Sequence, residues 1–239
     1  MTEAALDKVV FVAGASSGVG ATIARVLASG GAKVVLSARR ADLLTAVAET
    51  CGGDDCALSI AADLTQEADA ARAVATAIDR FDRLDAVVLN AAVGLVGRID
   101  EFSFADWQRV FATNVTSAFL VARAAIPHLR KTRGMLIAIG SEFSHAVMPG
   151  LGAYAASKWA LLALVRTMAL ELREQGIRVS SILPGSILTD FGPETREGKL
   201  QRRALGEKFL EPQEVAEAVR FLLMQPESVW TEELKIWSH

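Results

Sequence analysis

Two cysteines, one tyrosine, three histidines and six prolines are all that the 239 residues hold of these types, and each scarcity removes a class of function. Cys51 and Cys56 are too few for a disulfide framework and lack the CxxC spacing of a zinc site, so a reducing, cytoplasmic location is expected. His128, His145 and His239 have no ligand spacing, and no metal site is expected. Neither sign of charge prevails: 25 Lys+Arg face 28 Asp+Glu. That balance carries no electrostatic footprint for a phosphate backbone, which excludes nucleic acid as the main partner. No apolar run reaches the roughly 18 residues of a membrane span. The opening MTEAALDKVV has no small-residue cleavage site, so neither membrane nor export is expected. A small-molecule partner remains.

What is present is apolar residue in quantity, 51% of the chain, enough for one large core. Short β-branched runs at 9–13, 33–37, 57–61, 86–90, 135–140, 178–183 and, more weakly, 234–237 read as strands. Most are continuously apolar rather than alternating, as in a parallel sheet covered on both faces. Helical spacing fills the gaps at 21–29, 41–50, 67–81, 107–130, 153–174 and 212–224. The expected fold is α/β, one doubly wound (Rossmann) domain over residues 1–239, with about seven strands. Only 185–211 fits neither pattern, and an excursion that long predicts a lid over a site, at about 186–211. Its bases Arg196, Lys199, Arg202, Arg203 and Lys208 are read as the wet face of a lid helix or, less directly, as a hint of an anionic substrate.

Gly14-Ala15-Ser16-Ser17-Gly18-Val19-Gly20 follows the first strand and opens a helix. Backbone N–H groups at such a helix start can face a diphosphate, and glycines allow tight turning and close approach. No Gly-Lys-Ser/Thr closes the turn, which excludes a nucleotide triphosphatase loop. After the second strand comes Ser37-Ala38-Arg39-Arg40, with no acid before Asp42. A carboxylate here would hold the ribose 2′-hydroxyl of NAD, whereas guanidinium suits the 2′-phosphate of NADP. NADP(H) is therefore favoured over NAD(H), with Arg39 placed before Arg40 and Ser37 as a further donor. A solvated arginine pair at a helix start is the plain alternative.

The lone tyrosine lies in Tyr154-Ala155-Ala156-Ser157-Lys158, where spacing puts Tyr154 and Lys158 on one helix face. A phenol with a pKa of about 10 needs a nearby cation to work as acid and base near neutrality, and Lys158 can supply it. An ordinary amphipathic helix carries the same pair, so the pair alone decides nothing. Taken in order, however, the motifs resemble the short-chain dehydrogenase/reductase family along essentially the whole chain. The glycine turn matches at Gly14, Gly18 and Gly20, the adenine-contacting acid at Asp63 before Leu64, and the turn after the fourth strand at Asn90-Ala91-Ala92. The catalytic Asn, Ser, Tyr and Lys match Asn114, Ser141, Tyr154 and Lys158, and Pro184-Gly185, Ile187 and Thr189 are similar to the nicotinamide-contacting segment. Two departures stand out: Ala13 where the family commonly has Thr, and Ser17 where many NADP-using members carry a base.

The resemblance implies hydride transfer between nicotinamide and a carbonyl or secondary alcohol. Tyr154 is the general acid, Ser141 holds the carbonyl oxygen, and Lys158 lowers the tyrosine pKa and holds the ribose. Asn114 positions a relay water, or stabilises a helix kink, or both. Glu142 is either a pocket residue or a solvated loop carboxylate. A 3-oxoacyl thioester (acyl-carrier-protein or CoA) reductase is the rival enzyme, and a non-catalytic dinucleotide-binding regulator the rival of another class. The resemblance also implies a homodimer or homotetramer through the helices at 107–130 and 153–174.

Overall fold

The computed structural model describes residues 6–239. The first five residues, on which part of the leader reading rests, lie outside them. Seven strands form one sheet: β1 (Val9–Ala13), β2 (Lys33–Ala38), β3 (Ala57–Ala61), β4 (Ala86–Leu89), β5 (Met135–Ile139), β6 (Arg178–Pro184) and β7 (Glu233–Ile236). Their order is β3-β2-β1-β4-β5-β6-β7, and every pairing is parallel.

Side chains alternate across this sheet and build two cores. Val10 and Val12 of β1, Val34 and Leu36 of β2 and Ile137 of β5 face α1 (Gly18–Ser29), α2 (Ala41–Thr50) and α8 (Pro212–Met224), which supply Ile23, Leu44 and Val219. Val9 and Phe11, with Val35, Val87 and Leu136, face the other way. There they meet Val74 of α3 (Glu67–Phe81), Val121 of α5 (Ser117–Thr132) and Val165 of α6 (Gly152–Leu172). Each large side chain so buried is worth about 1.5–3 kcal/mol, and the continuous apolar strands are the consequence of two covered faces.

The stretch expected as one helix over 107–130 is interrupted. Ser103 caps α4 (Phe104–Phe111) by accepting from the Asp106 amide at 3.0 Å. A π-helical turn over Ala112–Thr116 then widens the spiral before α5. Such turns hold one extra residue and often mark a functional site. The stretch Phe104–Thr132 is also long and apolar enough to cross a membrane by composition, yet α5 packs on α3 and β4. Within 185–211 the chain forms a short helix, α7 (Arg196–Ala204), capped by Thr195.

Strand order reverses at β1: the chain proceeds outward to β2 and β3, then returns to β4 on the other side. A crevice opens at the carboxyl ends of β1 and β4, the place where α/β sheets bind ligands. At the opposite, amino edge Asp85 is buried. Its Oδ2 accepts from the Val9 amide at 2.8 Å, and Oδ1 pairs with Arg83 at 2.6 Å.

Candidate active site

The glycine turn lies at the carboxyl end of β1. Gly14 and Gly18 have φ of +74° and +56°, in the left-handed region that glycine enters without strain. At Gly20 a Cβ would stand 2.3 Å from the Gly14 carbonyl oxygen and 2.5 Å from Asn90 Nδ2. That space exists only because the side chain is absent, and it lets α1 start against the turn. Asn90, just beyond β4, donates through Nδ2 to the carbonyls of Ala13 and Gly14 at 3.2 and 3.1 Å. A Cβ on Gly14 would meet the Ala91 backbone at 2.8 Å. The turn that lacks a threonine at Ala13 is thus braced from Asn90. Ala92 continues this loop, half-buried.

Arg40 reaches over the turn and donates to Ser16 Oγ at 2.9 Å and Ser17 Oγ at 2.7 Å. Arg39 is exposed and, among the described residues, makes no side-chain bond. Ser37 departs from expectation. It is fully buried and gives its hydroxyl to the Ile60 carbonyl at 3.1 Å, which removes it as a donor to a ribose phosphate. Asp63 spends Oδ1 on the amide and hydroxyl of Thr65 at 3.1 and 2.7 Å and leaves Oδ2 open, beside buried Leu64. Across the crevice, the segment after β6 brings Thr189 over the turn, 3.7 Å from where a Gly18 Cβ would lie. Pro184 ends β6, Gly185 packs under the Trp237 ring, and Ile187 bridges to Leu210. Val19 sits half-buried on the first turn of α1. Left-handed glycines, a helix start free of acids and a guanidinium on the rim fit a dinucleotide.

Behind the crevice, Tyr154 and Lys158 project from the first turns of α6. Both are buried, at 8% and 3% exposure. Burial pushes the phenol up to about 12, while its hydrogen bond with Ser141 opposes the rise and the charge of Glu142 adds to it. Burial also pushes Lys158 down to about 8. Its Nζ donates to the Ile139 carbonyl at 2.9 Å and lies 5.7 Å from the centre of the Tyr154 ring. Burial is the largest influence on the phenol, which holds its proton at neutral pH.

Asn114 sits in the π-turn, 1% exposed. Its Oδ1 accepts from the Val93 amide at 2.7 Å, and Nδ2 donates to the Val93 carbonyl at 3.0 Å and to Ser157 Oγ at 2.9 Å. Ser157 in turn donates to the Tyr154 carbonyl at 2.7 Å. The side chain that the resemblance casts as a water holder is thereby a brace between the loop after β4 and the backbone of Tyr154. Ser141 follows β5, and its Oγ accepts from the Phe143 amide at 3.2 Å.

Aromatic rings close the pocket. Phe143 stands edge-on to Tyr154 at 6.2 Å, and the Phe191 ring lies tilted against it at 5.8 Å. Phe191 also covers Gly94, where a Cβ would meet its ring at 2.7 Å. Lys199 of α7 fixes this segment by donating to the carbonyls of Thr189 and Phe191 at 2.8 and 2.9 Å. Arg202 pairs with Glu194 at 2.8 Å and with Glu207, and Arg203 pairs with Glu211 at 2.6 Å. These bases hold their own segment together, so the hint of an anionic substrate loses its support.

Residues 8–200 match the short chain dehydrogenase family. Cyclopentanol dehydrogenase from Comamonas sp. is 37% identical over 224 residues, 91% of this chain and 90% of that protein. The alcohol dehydrogenase of the archaeon Thermococcus sibiricus, solved with 5-hydroxy-NADP, superposes with a TM-score of 0.85 at 30% identity, covering 97% of this chain and 96% of the other. The 3-ketoacyl-(acyl-carrier-protein) reductase of Brucella melitensis, solved with NADH, gives 0.88 at 29% identity and 96% coverage of both. With a glycine turn that fits a dinucleotide and a buried phenol in the same site, the chain belongs to the short chain dehydrogenase family and is an oxidoreductase acting on CH–OH and carbonyl groups.

Proposed function

We propose that the protein is an NADP-preferring ketone reductase, which in reverse is a secondary-alcohol dehydrogenase. The observation that carries this is Tyr154: a buried phenol close enough to Ser141 for that hydroxyl to act on it, with Lys158 Nζ 5.7 Å from the centre of its ring. When bound, the nicotinamide supplies or accepts the hydride. Tyr154 passes its proton to the carbonyl oxygen as negative charge develops there, and Ser141 donates a hydrogen bond to the same oxygen. Lys158, charged at pH 7 with a pKa of about 8, stabilises the phenolate left behind. Asn114 and Ser157 fix the Tyr154 backbone, so the phenol meets the substrate in one position.

Arg40 on the rim, Arg39 beside it with no side-chain bond among the described residues, and the lack of an acid at the end of β2 support NADP over NAD. A thioester reductase needs a basic docking surface for its carrier. Arg202 and Arg203 are neutralised within their own segment, which favours the simple ketone. A regulator without turnover has no use for the Ser141, Tyr154 and Lys158 set. Exposed Phe104 and Phe119 on α4 and α5, with Leu170 on α6, support a homodimer or homotetramer through these helices. The balanced charge and sparse cysteines support a cytoplasmic location.

The test is titration with NADPH and NADH, followed by turnover of a ketone panel. Tyr154→Phe is expected to cut turnover by about 10²–10⁴-fold with NADPH binding intact. Arg40→Ala is expected to weaken NADPH by roughly tenfold or more and leave NADH unchanged, since a charge-assisted bond is worth about 1.5–3 kcal/mol. Equal affinities in the parent protein would refute the NADP preference. Full activity in Tyr154→Phe would refute the mechanism.

A further inference from the structure

Glu142 is a titratable group that this mechanism does not use. It follows Ser141 directly and precedes Phe143, whose ring lies against Tyr154. Its side chain is half-buried, and no hydrogen bond or ion pair holds its carboxylate among the described residues. Burial alone raises its pKa, with no cation opposing, and its charge is near enough to act on the Tyr154 phenol. The nearby segment offers it no counter-charge: Arg202 and Arg203 are bound to Glu194, Glu207 and Glu211, and Lys199 to two carbonyls. His145, three residues on, pairs with Glu233 instead.

A half-buried carboxylate without a partner keeps its desolvation cost uncompensated, and this one directly follows Ser141, with its charge acting on the Tyr154 phenol. We propose that Glu142 sets the charge of the substrate: the site accepts ketones and alcohols whose group beside the reacting carbon is neutral, cationic or a hydrogen-bond donor, and rejects those bearing a carboxylate there. Two unit charges about 6 Å apart, at an effective dielectric of about 20, repel enough to cost roughly 100-fold in affinity. A cation in the same place gains by a similar factor, less its own dehydration.

This assignment rests on the ketone reductase reading, and the experiment separates the two. Three ketones of one skeleton serve as probes: methyl acetoacetate (neutral), acetoacetate (anionic) and 4-(dimethylamino)-2-butanone (cationic at pH 7). In the parent protein kcat/KM is expected to fall at least about tenfold from the neutral to the anionic probe. Glu142→Gln keeps the shape and is expected to raise the anionic-to-neutral ratio by about 10–100-fold and to lower the cationic-to-neutral ratio. Glu142→Ala is expected to move both ratios in the same directions. If the ratios stay within twofold in both variants, Glu142 does not select charge and the proposal fails while the reductase reading stands. If no ketone is turned over by the parent protein, the reading itself fails and takes this assignment with it.

Discussion

Asn114→Ala separates two roles for one amide. The side chain, 1% exposed, ties Val93 to Ser157 through bonds of 2.7, 3.0 and 2.9 Å. Truncation strands the Val93 amide and removes the donor to Ser157 Oγ. Each polar group left without a partner in a buried site costs about 1–3 kcal/mol, so a loss of about 3 kcal/mol is expected. In a chain of this size that lowers Tm by about 6–12 °C. Because Ser157 holds the Tyr154 carbonyl, kcat should fall together with stability, while NADPH affinity, which depends on the glycine turn, changes less. Asn114→Asp keeps an acceptor for the Val93 amide but turns a carboxylate toward the Val93 carbonyl, and should be no better than alanine. The measurements are calorimetric Tm, NADPH titration by fluorescence and steady-state ketone reduction. A variant that melts within about 2 °C of the parent yet loses its activity would refute the brace as the source of the loss.

Three further outcomes follow from the same geometry. Lys158 has its pKa pushed from the ordinary 10.5 to about 8, so between those values the folded state binds fewer protons than the unfolded one. Stability should therefore rise with pH across that window, by about 3 kcal/mol at most. Urea midpoints measured against pH should show the rise in the parent and lose it in Lys158→Met; equal slopes would sink the burial argument. Gly20→Ala puts a Cβ 2.3 Å from a backbone oxygen, where only main-chain movement gives relief, and should cost about 1–3 kcal/mol and most dinucleotide affinity. Gly94→Ala meets only the movable Phe191 ring, so Tm should stay within about 2 °C while ketone KM changes; a large fall in Tm would show that ring to be fixed.

Strand positions were legible because burial on both faces of a parallel sheet leaves an unbroken apolar run: 9–13 coincides with β1, buried at all five positions. Helices with a clear apolar stripe, such as α3 and α8, matched to the residue. The π-turn was not legible, since an extra residue shifts phase without changing composition, and 107–130 still reads as one apolar helix. Its start had a signal that the expected boundary passed over: Ser103 followed three residues later by Asp106 is a capping pattern. In the site, residue types gave Ser141, Tyr154 and Lys158 but not what competes for them. That Ser37 bonds to Ile60, that Arg40 bonds across the turn, and that Glu142 lacks a partner among the described residues all depend on side-chain direction across elements distant in sequence.

The sheet also divides labour between its two edges. The glycine turn and Ser141 gather at the carboxyl ends of the strands, whereas the amino edge is closed by Asp85, which accepts from the Val9 amide and pairs with Arg83. Loss of that carboxylate is felt by the strand pairing and reaches no reacting group. A mutational library scored at once for turnover and for heat resistance should therefore split along the strand axis, with rate-altering positions at one end and stability-altering positions at the other. Engineering could then strengthen the amino edge without trading away catalysis.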